Sequence, residues 1–174
     1  MALWDILPDS EREQWTLKPF AAVGPLRFGM TPDEASAALG GIEPGSRWGD
    51  SPFNTSIVSY NCGVTLYYRS GRSLRGVSVN PRQGPQVNAD GEPTVGRVPS
   101  ELEHWIIQRA DSRPPRTELA YLPGAEPASV SLGLVACLQR NGDRLITRPV
   151  FLPADAMDDI YHQLPAEAWA IKSW

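Results

Sequence analysis

The two histidines are the residues best suited to acid–base chemistry in this sequence. His104 lies beside Trp105 in a predicted helix, and His162 lies beside Tyr161 in a predicted C-terminal helix. Neither has a Cys or a second His at the spacing of a metal site, so we predict no metal ion and no cofactor. A catalytic triad assembles in three dimensions, but the sequence contains no Gly-x-Ser-x-Gly elbow and no Walker loop. We predict no catalytic residue, and a hydrolase using either histidine is the enzymatic alternative.

Three aspartates, Asp155, Asp158 and Asp159, share one face of the predicted C-terminal helix, which spans 154–164. Carboxylates at this spacing can bind a cation, although they more often form a solvated face. We keep them as candidate residues for binding a protein partner. Cys62 and Cys137 are isolated, which in a reducing compartment predicts two small buried hydrophobic residues, with a disulfide as the minor alternative.

Composition predicts one globular domain over residues 1–174. Hydrophobic residues make up 41% of the chain and charged residues 21%, which is ordinary for a folded domain. The net charge of −4 comes without any basic block, so nucleic acid is not an expected partner. No apolar run is long enough for a bilayer and the start does not resemble a signal peptide, which favours a cytoplasmic location without membrane contact. Only Lys18 and Lys172 are lysines among the 16 cationic residues, a bias typical of GC-rich bacterial genomes.

The sharpest local pattern predicts a short first helix. Thr31 can cap it, Pro32 suits the first helical position, and Glu34 completes a capping box with Thr31. Gly40 ends the helix after little more than two turns. Capping therefore accounts for the carboxylate of Glu34 better than catalysis does.

Alternating apolar residues predict strands on both sides of a second helix, for which Ser100 and Glu103 offer a capping box. Residues 80–97 are rich in turn formers and predict a long loop, whereas Asn141 and Gly142 predict a tight hairpin. The predicted strands are 15–20, 57–60, 64–69, 74–79, 118–122, 129–132, 134–140 and 145–152. This order predicts an α+β fold, a mainly antiparallel sheet with short helices on one face.

An internal repeat is a second way to interpret this order. Residues 28–34 align with 95–101 at an offset of 67, and the hairpins align at an offset of 71, with Gly71 on Gly142. The first alignment places Val98 at the helix cap, where capping chemistry prefers Ser100. Two interpretations therefore remain open: one continuous domain, or two tandem helix-then-meander modules at 23–80 and 95–152.

Aromatic and charged residues on one predicted sheet face are candidates for binding a partner. Tyr67 and Arg69 alternate with apolar residues in the strand 64–69, so they share the face opposite the helices. Trp48 and Asp50 lie on a glycine-bordered loop. Tyr, Trp and Arg are the residue types favoured at interface hot spots. The alternative is that Tyr67 packs sideways on the sheet and Trp48 covers the core.

The stretch Gly-Pro-Leu-Arg-Phe-Gly-Met-Thr-Pro-Asp-Glu-Ala from Gly24 to Ala35, followed by Leu39-Gly40, resembles the helix start of the β-lactamase-inhibitory proteins. Small outer-membrane assembly lipoproteins share that start. The resemblance implies helices packed on an antiparallel sheet, and binding through the concave face of the sheet and its loops. This chain lacks the paired cysteines and the lipobox cysteine of those families. It also resembles small bacterial immunity proteins encoded beside polymorphic toxins.

These observations favour a protein that binds another protein. The resemblance implies a cytosolic immunity protein that occludes the active cleft of a toxin with an acidic, aromatic-bearing surface. The toxin would be encoded by a neighbouring gene. Electrostatic steering would speed the encounter. A scaffold or assembly module and an unrecognised hydrolase are the alternatives.

Overall fold

Strands from both halves of the chain build the central sheet of this α+β fold. The computed structural model describes residues 3–48, 55–69, 72–113, 118–122 and 124–158. The described helices are α1 Pro32–Ala38, α2 Pro99–Asp111 and α3 Ala154–Met157, with a 3₁₀ turn at Asp9–Glu11. The described strands, in chain order, are β1 Gln14–Lys18, β2 Ala22–Val23, β3 Leu26–Arg27, β4 Ser46–Trp48, β5 Thr55–Tyr60, β6 Val64–Arg69, β7 Ser73–Val79, β8 Gln86–Ala89, β9 Glu92–Pro93, β10 Leu119–Tyr121, β11 Pro127–Ser129, β12 Leu134–Val135, β13 Leu138–Asn141, β14 Arg144–Thr147 and β15 Val150–Phe151.

The central sheet has eight strands in the order β10-β11-β12-β15-β7-β6-β5-β4. Every neighbouring pair in it is antiparallel. The two halves meet where β15 pairs with β7 and Val150 lies opposite Ser78. Each half of the chain therefore contributes four adjacent strands, and β4 and β10 form the two edges.

Two smaller sheets complete the described structure. One has the order β3-β2-β1-β8-β9 and contains the parallel pair β1 and β8. The segment 80–97, predicted as a loop, thus contains two strands, because Asp90 and Gly91 both adopt positive φ and turn the chain between them. The other small sheet is the hairpin β13–β14.

Strands predicted as continuous are each divided between two sheets. The predicted strand 134–140 splits into β12 and β13, and 145–152 splits into β14 and β15. Pro149 lies at the second break and has no N–H for a strand ladder. The hairpin β13–β14 consequently leaves the central sheet and folds over segment 94–97, where Thr147 Oγ1 donates to the Thr94 carbonyl oxygen at 2.7 Å.

The two longer helices pack on the first face of the central sheet. This face carries alternate residues of the paired strands, Leu134, Phe151, Val77, Leu66 and Val58, together with Leu102 and Ile106 of α2. The second face carries the intervening residues, and a second apolar cluster there includes Val135, Val150 and Leu152 with Ala156 and Met157 of α3. The predicted C-terminal helix is thus described only over its first turn, and its remainder lies outside the described residues.

The helix starts follow the alignment at offset 67. Pro32 and Pro99 each occupy the first turn of a helix, and Gly29 and Gly96 precede them with φ of 90° and 69°. The capping box predicted at α1 is present. The cap predicted at Ser100 is wrong, because Pro99 already begins α2 and Val98 is its N-cap.

The alignment at offset 71 relates hairpins in different positions. It matches the β6–β7 hairpin, inside the central sheet, with the β13–β14 hairpin, which forms a sheet of its own. The central pair of strands is β7 and β15, and the strands that flank it in corresponding places are β6 and β12. The offset of 71 therefore does not relate equivalent strands. Duplication of a module stays a prediction, carried by the helix starts and the strand order.

Candidate functional site

Trp48 and Arg69 lie near one edge of the central sheet. Trp48 is opposite Ile57, which is opposite Tyr67, so these three residues share the second face. Arg69 is exposed two residues beyond Tyr67 on β6, and Trp48 on the edge strand is 55% exposed. Strand spacing puts their Cα atoms roughly 12 Å apart. Asp50, also predicted here, lies outside the described residues.

Tyr67 is buried, as in the alternative that it packs sideways on the sheet, and not exposed as a candidate for binding a partner. Its side chain is only 2% exposed, and a Cβ at Gly76 would lie 3.3 Å from its Cδ2 and 3.4 Å from a Leu152 methyl carbon. The absence of a side chain at Gly76 lets the ring lie sideways over the sheet. Strand alternation placed Tyr67 on the correct face but could not show that this face is covered.

The centre of the second face is filled by a polar network. Arg148 Nε donates to Ser78 Oγ at 3.1 Å, and its Nη1 donates to Gln139 Oε1 at 3.0 Å. On the neighbouring strands, Ser59 and Thr65 share a hydroxyl hydrogen bond of 2.9 Å. These polar side chains of the second face are therefore engaged in contacts within the chain.

Two of the three aspartates predicted as partner-binding residues, Asp155 and Asp158, are described, and both are exposed. Asp155 pairs with Arg75, which lies at the irregularity between β6 and β7. The hydrogen bond from Arg75 holds the pKa of Asp155 below its usual value. Asp158 is exposed, and Asp159 lies outside the described residues. The structure thus assigns Asp155 a contact between α3 and the sheet.

His104 is exposed on α2, and its Nε2 lies 2.9 Å from Gln108 Nε2. His162 lies outside the described residues. Among the residues that are described, no group of three His, Cys, Asp or Glu side chains could hold a metal ion. Both cysteines are free thiols, but only Cys137 is buried as predicted, and Cys62 is exposed on the turn after β5.

An apolar and basic surface that the sequence did not predict surrounds the β13–β14 turn. Its exposed apolar members are Leu3, Trp4 and Leu145, at 67%, 47% and 40%. We define the hairpin patch by these three residues together with Arg82, Arg140 and Arg144. A hollow of about 360 Å³ lies along it between Arg140 and Leu145.

The hairpin patch is held in place by specific contacts. The Trp4 ring lies over Gly142, its carbonyl oxygen accepts from Asn141 Nδ2 at 2.9 Å, and the Arg82 guanidinium lies 5.7 Å from the ring centre. Arg140 Nε donates to the Gly142 carbonyl oxygen at 2.7 Å. The only hint of this patch in the sequence was Leu145, an apolar residue that follows a tight turn. Trp4 is distant in sequence and becomes part of the patch only through the tertiary fold.

Comparison with protein-family models, curated proteins and solved structures found no match. Across the described ranges, none of the helices has the length and apolar character needed to cross a membrane. Function is therefore argued from the surface of this chain.

Proposed function

We propose that this protein binds another protein through the hairpin patch. The observation that carries the proposal is that Trp4, which packs on the β13–β14 turn, and Leu145 of β14 are both exposed in a patch that also contains three arginines. Trp and Arg are enriched at interface hot spots, and exposed apolar groups clustered beside polar ones are typical of interaction sites.

The rigidity of the patch supports tight binding. Trp4 is half exposed yet held by Asn141, Gly142 and Arg82. A side chain already fixed in its bound position loses little conformational entropy on association, which otherwise costs about 0.5–1.5 kcal/mol for each immobilised side chain.

The charge of the patch favours an acidic partner surface. The patch contains Arg82, Arg140 and Arg144 against one carboxylate in its hollow, Asp143, whereas the whole chain carries a net charge of −4. A local cationic surface on an acidic protein orients an approaching anionic partner and raises the association rate. The surface we propose is thus aromatic, as the resemblance implied, but basic.

The resemblance of the helix start supports a toxin as the partner. On this proposal the chain is an immunity protein, and it occludes the active cleft of a bacterial toxin without catalysing a reaction. The corner formed by Trp48 and Arg69 is the alternative interface, because it presents the same residue types on another edge of the fold.

Affinity purification of the tagged protein from its native host, followed by binding measurements on the captured partner, tests the proposal. We expect one stoichiometric partner, and we expect Trp4→Ala to weaken binding by about 2 kcal/mol, roughly 30-fold. Trp48→Ala is the matched control and should leave affinity unchanged. Loss of affinity in Trp48→Ala but not in Trp4→Ala would place the interface at the sheet edge. If neither substitution weakens binding, the proposal is wrong.

A further inference from the structure

A cleft of about 460 Å³ lies between the N-terminal segment, the end of α1 and the loop before β8. Its walls combine roughly equal polar and apolar surface, and the apolar part includes Leu7, Trp15, Pro25, Leu39 and Pro85. This volume is within the range of small-molecule sites, which combine apolar walls with a few polar groups. The cleft is separate from the hairpin patch and shares no lining residue with it.

The charged side chains that line the cleft are both acidic. Glu11 and Glu13 are both exposed and both line it, while no described lining residue is a lysine or an arginine. The C-terminal end of α1 also borders the cleft, and carbonyl groups at such an end favour a cation. The residue between the two glutamates, Arg12, turns away from them into the protein.

Arg12 fixes one wall of the cleft. Its buried guanidinium donates to the carbonyl oxygens of Pro81 and Gly84, and its Nε lies 3.5 Å from Asp9 Oδ1. Gly84 lines the cleft, and a Cβ there would lie 2.5 Å from a Val79 methyl carbon. The wall is thus formed before any ligand arrives.

Trp15 contributes a nearly buried aromatic part of the wall. It is 5% exposed and forms part of the wall, and its Nε1–H has no hydrogen-bond acceptor among the described residues. Its ring packs on Gly24, where a Cβ would lie 2.4 Å from Cδ2, so the ring cannot shift toward that side.

We propose that this cleft binds a small organic cation, an ammonium or guanidinium group carried on an apolar body, with Glu11 and Glu13 as its charge partners. The apolar body contacts Leu39, Pro25 and Trp15.

Three probes of similar shape and different charge test this inference on the full chain. These are 2-phenylethylamine, 2-phenylethanol and 3-phenylpropanoate, titrated by calorimetry or NMR. We expect the amine to bind about tenfold more tightly than the alcohol, a difference of 1.4 kcal/mol, and the carboxylate to bind most weakly. Equal affinities for the amine and the alcohol, or no binding of the amine at millimolar concentration, would overturn the proposal.

Isosteric variants test the assigned residues. Glu11→Gln and Glu13→Gln should each weaken amine binding roughly threefold, as expected for exposed ion pairs. The double variant should bind the amine no better than the alcohol, while Glu101→Gln on α2 is the matched control. If the double variant keeps the preference for the amine, these glutamates are not the charge partners.

Cys62 provides a readout at the cleft itself. Its thiol lines the cleft, whereas Cys137 is fully buried. Bound amine should slow alkylation of Cys62 by iodoacetamide in proportion to its occupancy, and 3-phenylpropanoate at the same concentration should not. Unchanged alkylation at saturating amine would place the bound cation elsewhere and overturn the assignment.

Discussion

Trp4 lies directly over Gly142, so that a Cβ at Gly142 would be 3.6 Å from Trp4 Cγ. Asn141 Nδ2 donates to the Trp4 carbonyl oxygen across 137 positions of sequence. The start of the described chain is thereby fastened to a turn near its end. This contact builds the hairpin patch from segments that have no local relationship.

Replacing Gly142 by alanine should destabilise the protein by about 1 kcal/mol, because Gly142 has φ of 66° and a side chain disfavours this conformation. The added Cβ meets Trp4 only at ordinary contact distance, so the loss arises in the backbone. Urea denaturation measures the free energy of unfolding. Asp143 is the next turn residue and has no positive φ, so Asp143→Ala should change the free energy of unfolding by a few tenths of a kcal/mol at most. Equal losses in the two variants would contradict the explanation.

Replacing Asp155 by asparagine should remove a small, pH-dependent stabilisation. The hydrogen bond from Arg75 lowers the pKa of Asp155 in the folded state, so its contribution is present above the unfolded pKa and disappears as the pH falls through the folded pKa. Because Asp155 is exposed, we expect the difference to be well under 1 kcal/mol.

The measurement is the free energy of unfolding of both proteins between pH 7 and pH 2. The two curves should differ at pH 7 and converge below pH 3.8, the ordinary pKa of an aspartate. A difference that persists at pH 2 would show that the substitution acts through something other than this ion pair.

The fold class and the start of α1 were predictable because their signals are local. The capping box of Thr31 and Glu34 is present, with Glu34 Oε2 accepting from Thr31 N at 2.9 Å. Tyr67 was not predictable in the same way, since alternation assigns a side to a residue but not what covers that side. Tyr67 is buried because Gly76, on the neighbouring strand, has no side chain to occupy the space where the Tyr67 ring lies.

The hairpin patch and the cleft were outside the reach of sequence patterns. Trp4 and Leu145 are separated by most of the chain, and Glu11 and Glu13 belong to no recognisable sequence motif. Nothing local indicates that Arg12, between these two glutamates, turns inward to hold the wall of a cleft. Such surfaces depend on tertiary contacts that no periodicity records.

The Cys62 thiol should react slowly with iodoacetamide for an exposed cysteine. Burial of part of the side chain raises its pKa above the ordinary 9.0, and the charge of Glu13 adds to this. Glu13→Gln should therefore increase the thiolate fraction and modestly accelerate alkylation at pH 8. Mass spectrometry of the alkylated peptide follows the rate, and Glu101→Gln is the control.

Cys137 reports on folding in the same experiment. Burial raises its pKa to about 12, so it should stay unmodified until the protein unfolds. Faster alkylation of Cys62 in Glu13→Gln with Cys137 still protected would support the charge effect. Joint modification of both thiols would show unfolding instead.

Val98 is the N-cap of α2 and makes no side-chain hydrogen bond there, and Glu101 follows it three residues later. Thr31 and Glu34 occupy the corresponding positions in α1 and cap each other. Val98→Thr should therefore complete a second capping box and raise the free energy of unfolding by about 1 kcal/mol. The substitution suits the site because Val98 is 52% exposed and its backbone is extended, like that of Thr31.

Two controls separate capping from other effects of the change. Val98→Ala removes the apolar side chain without adding an acceptor, so it should bring no gain. Combining Val98→Thr with Glu101→Ala should lose the part of the gain that depends on the reciprocal bond. Ser100→Ala should be nearly neutral, because Ser100 lies inside the helix. A larger loss from Ser100→Ala than the gain from Val98→Thr would show that the helix starts are not equivalent, and would count against duplication of the module.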